Sequence, residues 1–424
     1  MNFTPYWLDT APAFRSAAAG DVEGHYDVAV IGAGLTGLSA AIRAARDGAS
    51  VLVLEAGRVA GEASGRNGGQ CNTGLAADYA GLVERFGTTA ARRLHDAYTA
   101  AVTDVEHLVS DEAIDCDFRR CGKLKLAAKP AHFRSLAAAH TLMNDAFGAH
   151  TTLFDASGIR DEIGSDTFHG GLLMPDAAQL HVGRFGIGLA EAAARRGATI
   201  HEHTPLTGID KNGTRHRLAT PRGNASADQV IMATGASRHG PLGWYRRRIV
   251  PVGSFIVVTE VLGRETLDRL LKKRRNYVTS RLIGHYFRAT TDDRLLFGGR
   301  ARFSMSGGRA DEKAGAILKH GIRTTFPELE AVGIDYCWGG LVDMTRDRLP
   351  RAGRHDGIHY AMGYSGHGVQ MAVYMGGVLA DRIAGRADRN PFRELAWPAI
   401  PGHFGTPWFL PAVGAWYRLK DRFQ

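Results

Sequence analysis

The chain has 424 residues, 44% hydrophobic and 22% charged, values of an ordinary globular protein that exclude a disordered or fibrous chain. Lys and Arg outnumber Asp and Glu by 52 to 43, a formal net charge of +9, and at roughly 150 residues per domain the length points to two to three domains. The 53 glycines follow no collagen-like period, so their excess points to backbone that must approach a bound group closely.

The first 25 residues carry Asp9, Arg15, Asp21 and Glu23 and no apolar stretch of the signal-peptide kind. No run approaches the ~18 apolar residues of a membrane span, and the reading is a soluble, cytoplasmic protein. Cys71, Cys116, Cys121 and Cys337 are scattered and form no C-x-x-C pair, which argues against a disulfide scaffold or a zinc site; no metal is expected.

Tyr26–Ile31 is a short β-branched run suited to a buried parallel strand. Gly32-Ala33-Gly34-Leu35-Thr36-Gly37 follows, then an alanine-rich helical stretch ended by Gly48, a second strand Ser50–Leu54, and Glu55 at its tip. Gly32 permits the tight turn, Gly34 clears the approach of a pyrophosphate, and Gly37 lets helix and strand pack. The helix N-terminus offers free N–H groups to phosphate, and Glu55 can accept from the ribose hydroxyls. The small-residue segment from Ala56 through Ser64-Gly65-Arg66-Asn67-Gly68-Gly69-Gln70 replaces the ordinary helix of a nicotinamide-type domain. Its glycines would bring backbone amides to a flat ring, with Arg66 and Asn67 as donors, so FAD is favoured over NAD. Farther on, Asp228–Met232 returns to the same sheet edge and ends in Ala233-Thr234-Gly235; Leu206 joins this cofactor set.

The residues 86–112 and 131–147 read as helices, Ile249–Val261 and Leu295–Phe303 as strands, and 264–275 as a surface helix with a basic end. That stretch and Arg246–Arg248 raise the alternatives of an anionic membrane or nucleic-acid surface, against the plainer one of solvated cations at a helix C-terminus. Ile358–Met362, the turn Gly363-Tyr364-Ser365-Gly366-His367-Gly368 and the run from Val369 form a second strand–turn–helix. Its N–H groups suit the edge of a flavin that gains negative charge on reduction.

Together with Tyr286-Phe287-Arg288, Arg294–Gly299 and Trp338–Thr345, these motifs resemble, over nearly the whole chain, flavoproteins of the D-amino-acid-oxidase, glycine-oxidase and sarcosine-oxidase superfamily, and within it amine oxidases of the γ-glutamylputrescine type. The resemblance implies an α/β chain of the glutathione-reductase-type fold. A Rossmann-like FAD domain (24–85, 170–240, 346–390) is interleaved with a β-sheet substrate domain (86–169, 241–345), and 391–424, with Trp397, Trp408 and Trp416, forms a packed cap. The implied reaction is oxidation of a C–N bond by hydride transfer to the flavin, with O2 or an electron carrier as acceptor. Glycine-oxidase relatives hold the substrate carboxylate with an Arg on the strand matching Gly340–Thr345, where this chain has Asp343; sarcosine-oxidase relatives place a Lys where it has Gln370. Losing both anchors disfavours a simple α-amino acid and suits a cationic amine at Asp343, although Asp343 is equally suited to capping a turn, and an Arg outside these motifs is able to bind a distal carboxylate. Tyr286, Phe287 and Trp338 are expected as an aromatic wall over the flavin, and His367 as a residue beside it. Relatives that attach FAD covalently use a Cys near Gly340, or a His near the position of Cys71. No residue matches squarely, so FAD is expected to be noncovalent. The competing readings are an amino-acid or imino-acid oxidase, a dehydrogenase serving a quinone, a nucleic-acid-associated flavoprotein and a silent FAD scaffold.

Overall fold

Val28–Ile31 and Val51–Leu54 are apolar on both faces, so they are stable only inside a sheet covered twice. The computed structural model, which describes residues 1–237, 239–299 and 308–423, places them there. Strand His25–Ile31 lies between Gly223–Met232 and Val51–Leu54, all parallel, with Thr199–His201 beyond and Ile358–Met362 beside the end of Gly223–Met232. Val28, Val30, Val51 and Val53 enter a core shared with helices Leu35–Arg46, Val182–Arg195 and Gly368–Ile383. Ala29, Ile31, Leu52 and Leu54 enter the opposite core with Leu206, Leu218 and Tyr245.

A second sheet runs in the order Ile334–Met344, Val250–Thr259, Leu295–Gly299, His285–Ala289, Asn276–Thr279, Lys123–Leu126, Gly171–Met174, Thr152–Phe154. Every pairing is antiparallel except that of Asn276–Thr279 with Lys123–Leu126. Leu124, Tyr277, Phe287, Phe297 and Val257 fill one face against the helix containing Ala314, Leu318 and Ile322. Tyr286, Ile256 and Trp338 occupy the other face, toward the first unit.

The expected α/β architecture with two interleaved sheets is observed, and helices Thr88–Asp111 and Pro130–Phe147 form where their periodicity predicts. Several details differ. Segment 170–240 does not lie wholly with the first sheet, because Gly171–Met174 pairs with Lys123–Leu126 and Thr152–Phe154 in the second. Residues 300–303 of the predicted strand Leu295–Phe303 lie outside the described residues. The basic helix is shorter, Arg264–Leu270, and beyond it Arg274 pairs with Asp268 and Asp293, and Arg275 with Glu162. Much of its charge is thus already matched within the fold. Of the three C-terminal tryptophans, Trp397 packs as a cap should, its ring 5.2 Å from Trp244 and 5.1 Å from Tyr360. Trp408 and Trp416 are 72% and 62% exposed. Among the described residues no helix is long and apolar enough to cross a membrane.

Candidate active site

A cavity of about 1680 Å³ lies between the sheets, larger than the ~300–1,000 Å³ of single-ligand sites, and so roomy enough for a cofactor together with a substrate. Of the residues expected to bind the cofactor, all line it except Gly37, Gly65, Gly69 and Gly363.

At the first turn, Gly32 has φ +105°, and a Cβ there would lie 2.8 Å from the Ala233 carbonyl oxygen. A Cβ on Gly37 would fall 1.9 Å from the Gly32 oxygen, so Gly37 serves the helix–strand contact as expected. A Cβ on Gly34 would meet the Ser64 hydroxyl at 2.7 Å, and that hydroxyl accepts from Leu35 N (3.1 Å). The Glu55 carboxylate accepts from Ala33 N and Gly57 N, each at 2.8 Å, fixing the strand tip to the turn. Burial pushes its carboxyl above the ordinary value while those two bonds oppose the shift.

The 66–70 loop is held from behind. Trp338 Nε1 donates to Arg66 O (2.9 Å), Trp7 Nε1 to Asn67 O (2.6 Å), and Arg288 to Gly69 O (3.0 Å) and Leu180 O (3.1 Å). With their carbonyls tied outward, these peptides have a fixed orientation along the cavity wall. Arg66 and Asn67 line the cavity and also tie down local structure: Arg66 donates to the carbonyls of Gly61 and Gly339, Asn67 to those of Ala63 and Ser64. Both amide hydrogens of Asn67 are thus engaged, while the Arg66 guanidinium keeps further N–H groups at the cavity. Gly65 and Gly69 also serve packing, since a Cβ would lie 2.3 Å from Ala60 O and 2.4 Å from Leu180 O. Gly68 alone of the three glycines faces the cavity, and Tyr286 sits on it: a Cβ at 68 would lie 2.7 Å from Tyr286 Cε2.

The second turn reaches the same space. Tyr364 OH and Thr36 Oγ1 are 2.6 Å apart, joining the two glycine turns directly. Gly363 and Ser365 have φ +84° and +54°, and helix Gly368–Ile383 starts with Gly366, His367 and Gly368 on the cavity wall. His367 stands edge-on to Tyr98, ring centres 5.7 Å apart. The Asp343 carboxylate lines the cavity but accepts from Gly363 N at 2.6 Å, so it caps the turn; burial raises it to about 6 against the opposing backbone N–H bonds.

Three aromatic or polar expectations fail on position. Trp338 and Phe287 are fully buried outside the cavity, and Trp338 acts through the Arg66 carbonyl. Gln370 is also buried outside it, its amide donating to Asn72 O (2.5 Å). Of the three aromatics, Tyr286 lines the cavity.

The chain fits FAD on its own features. The turns form a cradle with no room for side chains, and Thr234 Oγ1 is buried at the cavity with no protein partner. A family model described as FAD dependent oxidoreductase matches residues 27–382. The chain belongs to this family. It is 32% identical over 400 residues to γ-glutamylputrescine oxidoreductase of Escherichia coli, covering 93% of each chain, and 33% identical over 413 residues to the probable oxidoreductase OrdL of Haemophilus influenzae, covering 94% of this chain and 93% of that one. Among solved structures, glycine oxidase from Geobacillus kaustophilus superposes with a TM-score of 0.73 at 20% identity, covering 89% of this chain and all of that one. The protein is therefore an FAD-dependent oxidoreductase. Cys71 and Cys337 are buried away from the cavity, in keeping with noncovalent FAD.

Sequence reasoning missed Trp7 and Arg288 as supports of the loop, and it missed Lys123 and Lys125, both on the cavity wall. For the lysines a signal was present: Lys-Leu-Lys-Leu alternates as a strand with one apolar face does.

Proposed function

We propose that the protein oxidises the C–N bond of a substituted amine of the γ-glutamylputrescine kind, yielding an imine that water converts to an aldehyde, with O2 as the electron acceptor. The observation that carries this reading is the meeting of the 66–70 loop and the 364–368 turn on one cavity under Tyr286. Bound FAD supplies the capacity to take a hydride from a carbon attached to nitrogen. The protein's part is positioning and electrostatics. The N-terminus of helix Gly368–Ile383 sets backbone N–H groups and its positive dipole end toward the cavity, where they favour developing negative charge. Tyr286 gives the amine's alkyl stem a flat apolar surface. His367 holds the turn against Tyr98 rather than moving a proton. The similarity to the Escherichia coli enzyme supports the substrate class.

Peroxide release on mixing the FAD-loaded protein with γ-glutamylputrescine in air tests the reading. Peroxide with the amine and none with glycine supports it. Dye reduction without peroxide would move the acceptor to a quinone or carrier, and peroxide with α-amino acids alone would replace the substrate class.

A further inference from the structure

Strand Lys123–Leu126 sends Leu124 and Leu126 into the apolar core of the second sheet, both fully buried. Alternation then sends Lys123 and Lys125 to the opposite face, which is the cavity wall. Lys123 is only 6% exposed, and its ammonium donates to the Thr73 carbonyl oxygen at 2.5 Å, which leaves two N–H groups. Among the described residues neither lysine forms a salt bridge. Asp78 is the acid close enough to act on Lys125, and its carboxylate already caps helix Tyr79–Phe86 through Gly81 N (3.0 Å). Two ammonium groups set side by side on a buried wall repel one another and lose hydration, at a cost of several kcal/mol per buried ion unless an anion compensates. Burial, with Lys125 beside it, holds the Lys123 ammonium down to about 7.

The register gives the distance from the pair to the proposed reaction site. Lys125 pairs with Val278, and Val278 pairs with Tyr286. Two strand spacings, roughly 10 Å, therefore separate Lys125 from the aromatic wall. Val278, between the two in the register, lines the cavity, as do Gln70 and Asn72, whose side chains are joined at 3.0 Å.

We propose that Lys123 and Lys125 form a carboxylate subsite that holds the far end of the substrate, an amine whose oxidised C–N bond lies roughly 10 Å from a carboxylate. A simple α-amino acid, with its carboxylate one carbon from the nitrogen, does not span that gap; a diamine acylated by the side chain of glutamate does. The subsite rests on the reading of the cavity as an amine-oxidising site, and its test separates the two.

Glutarate, which has no amine to oxidise, is titrated calorimetrically into the FAD-loaded protein and into Lys123→Met and Lys125→Gln variants. Saturable binding to the native protein, weakened at least tenfold in Lys125→Gln and in Lys123→Met where that variant folds, is the expected result. KM for γ-glutamylputrescine should rise in the same variants by a larger factor than KM for putrescine. Glutarate binding that is absent in the native protein, or equal in native and Lys125→Gln protein, overturns the subsite, as does loss of FAD from the variants with glutarate affinity unchanged. If glutarate binds through the lysines while no amine reduces the flavin, the subsite stands and the amine reading falls.

Discussion

The Asp343 carboxylate accepts a hydrogen bond from the Gly363 amide at 2.6 Å, tying the edge strand of the second sheet to the glycine turn of the first. A residue that the motif pattern suggests for gripping a cationic substrate is thus engaged in joining the two halves of the site. Replacing Asp343 with Ala leaves a buried N–H without its acceptor, for which about 1–3 kcal/mol of stability should be lost. Asp343→Asn keeps an acceptor and should lose less. Thermal unfolding of both variants, with the retained FAD measured spectroscopically, checks the ordering.

The same group gives a pH dependence of known sign. Burial raises the folded-state carboxyl from 3.8 to about 6, so between these values the folded protein binds more protons at Asp343 than the unfolded chain. Stability contributed by this group therefore falls as pH rises from about 4 to about 6 and is flat above that window. Urea midpoints at pH 4.5 and 6.5, compared between native and Asp343→Asn protein, should show this component in the native protein alone.

Trp338 donates to Arg66 O without touching the cavity. Trp338→Phe keeps most of the buried apolar volume and removes the N–H, so a loss of about 1–2 kcal/mol is expected. Because the loop carbonyl is freed, FAD affinity should fall more than stability does. Titration of the apoprotein with FAD, beside chemical unfolding, measures both.

Tyr286 leaves no room for a Cβ at Gly68, where one would lie 2.7 Å from its ring. Gly68→Ala must push the ring or the loop aside, at about 1–3 kcal/mol, and KM for the amine should rise with little change in the fold. A shift in the visible flavin spectrum with an unaltered far-ultraviolet circular dichroism spectrum is the expected signature.

How far the sequence was readable depends on whether the interacting groups are close along the chain. Gly32 to Glu55 is a contiguous strand–turn–helix–strand, and its tight turn, its helix–strand contact at Gly37 and the position of Glu55 at the strand tip are all where the spacing puts them. The loop supports are different: Trp7 is 60 residues from Asn67 and Arg288 is 219 from Gly69, and no local pattern marks such pairs. Trp338 and Gln370 sit in matching motifs, and Trp338 shares the sheet face of Tyr286, but it packs behind the 66–70 loop through the Arg66 carbonyl, while Gln370 is turned to the Asn72 carbonyl; neither contact is marked by a local pattern. Lys123 and Lys125 were legible as one face of a strand, but nothing local identified that face as a cavity wall rather than solvent.

Anaerobic mixing of the FAD-loaded protein with γ-glutamylputrescine, followed at the flavin band near about 450 nm, tests the central claim most directly because it reads electron transfer from the C–N bond before any acceptor takes part. Full bleaching at a rate that saturates with amine concentration is predicted. A flavin that stays oxidised with this amine but bleaches with glycine, or a purified protein that takes up no FAD, would contradict the account.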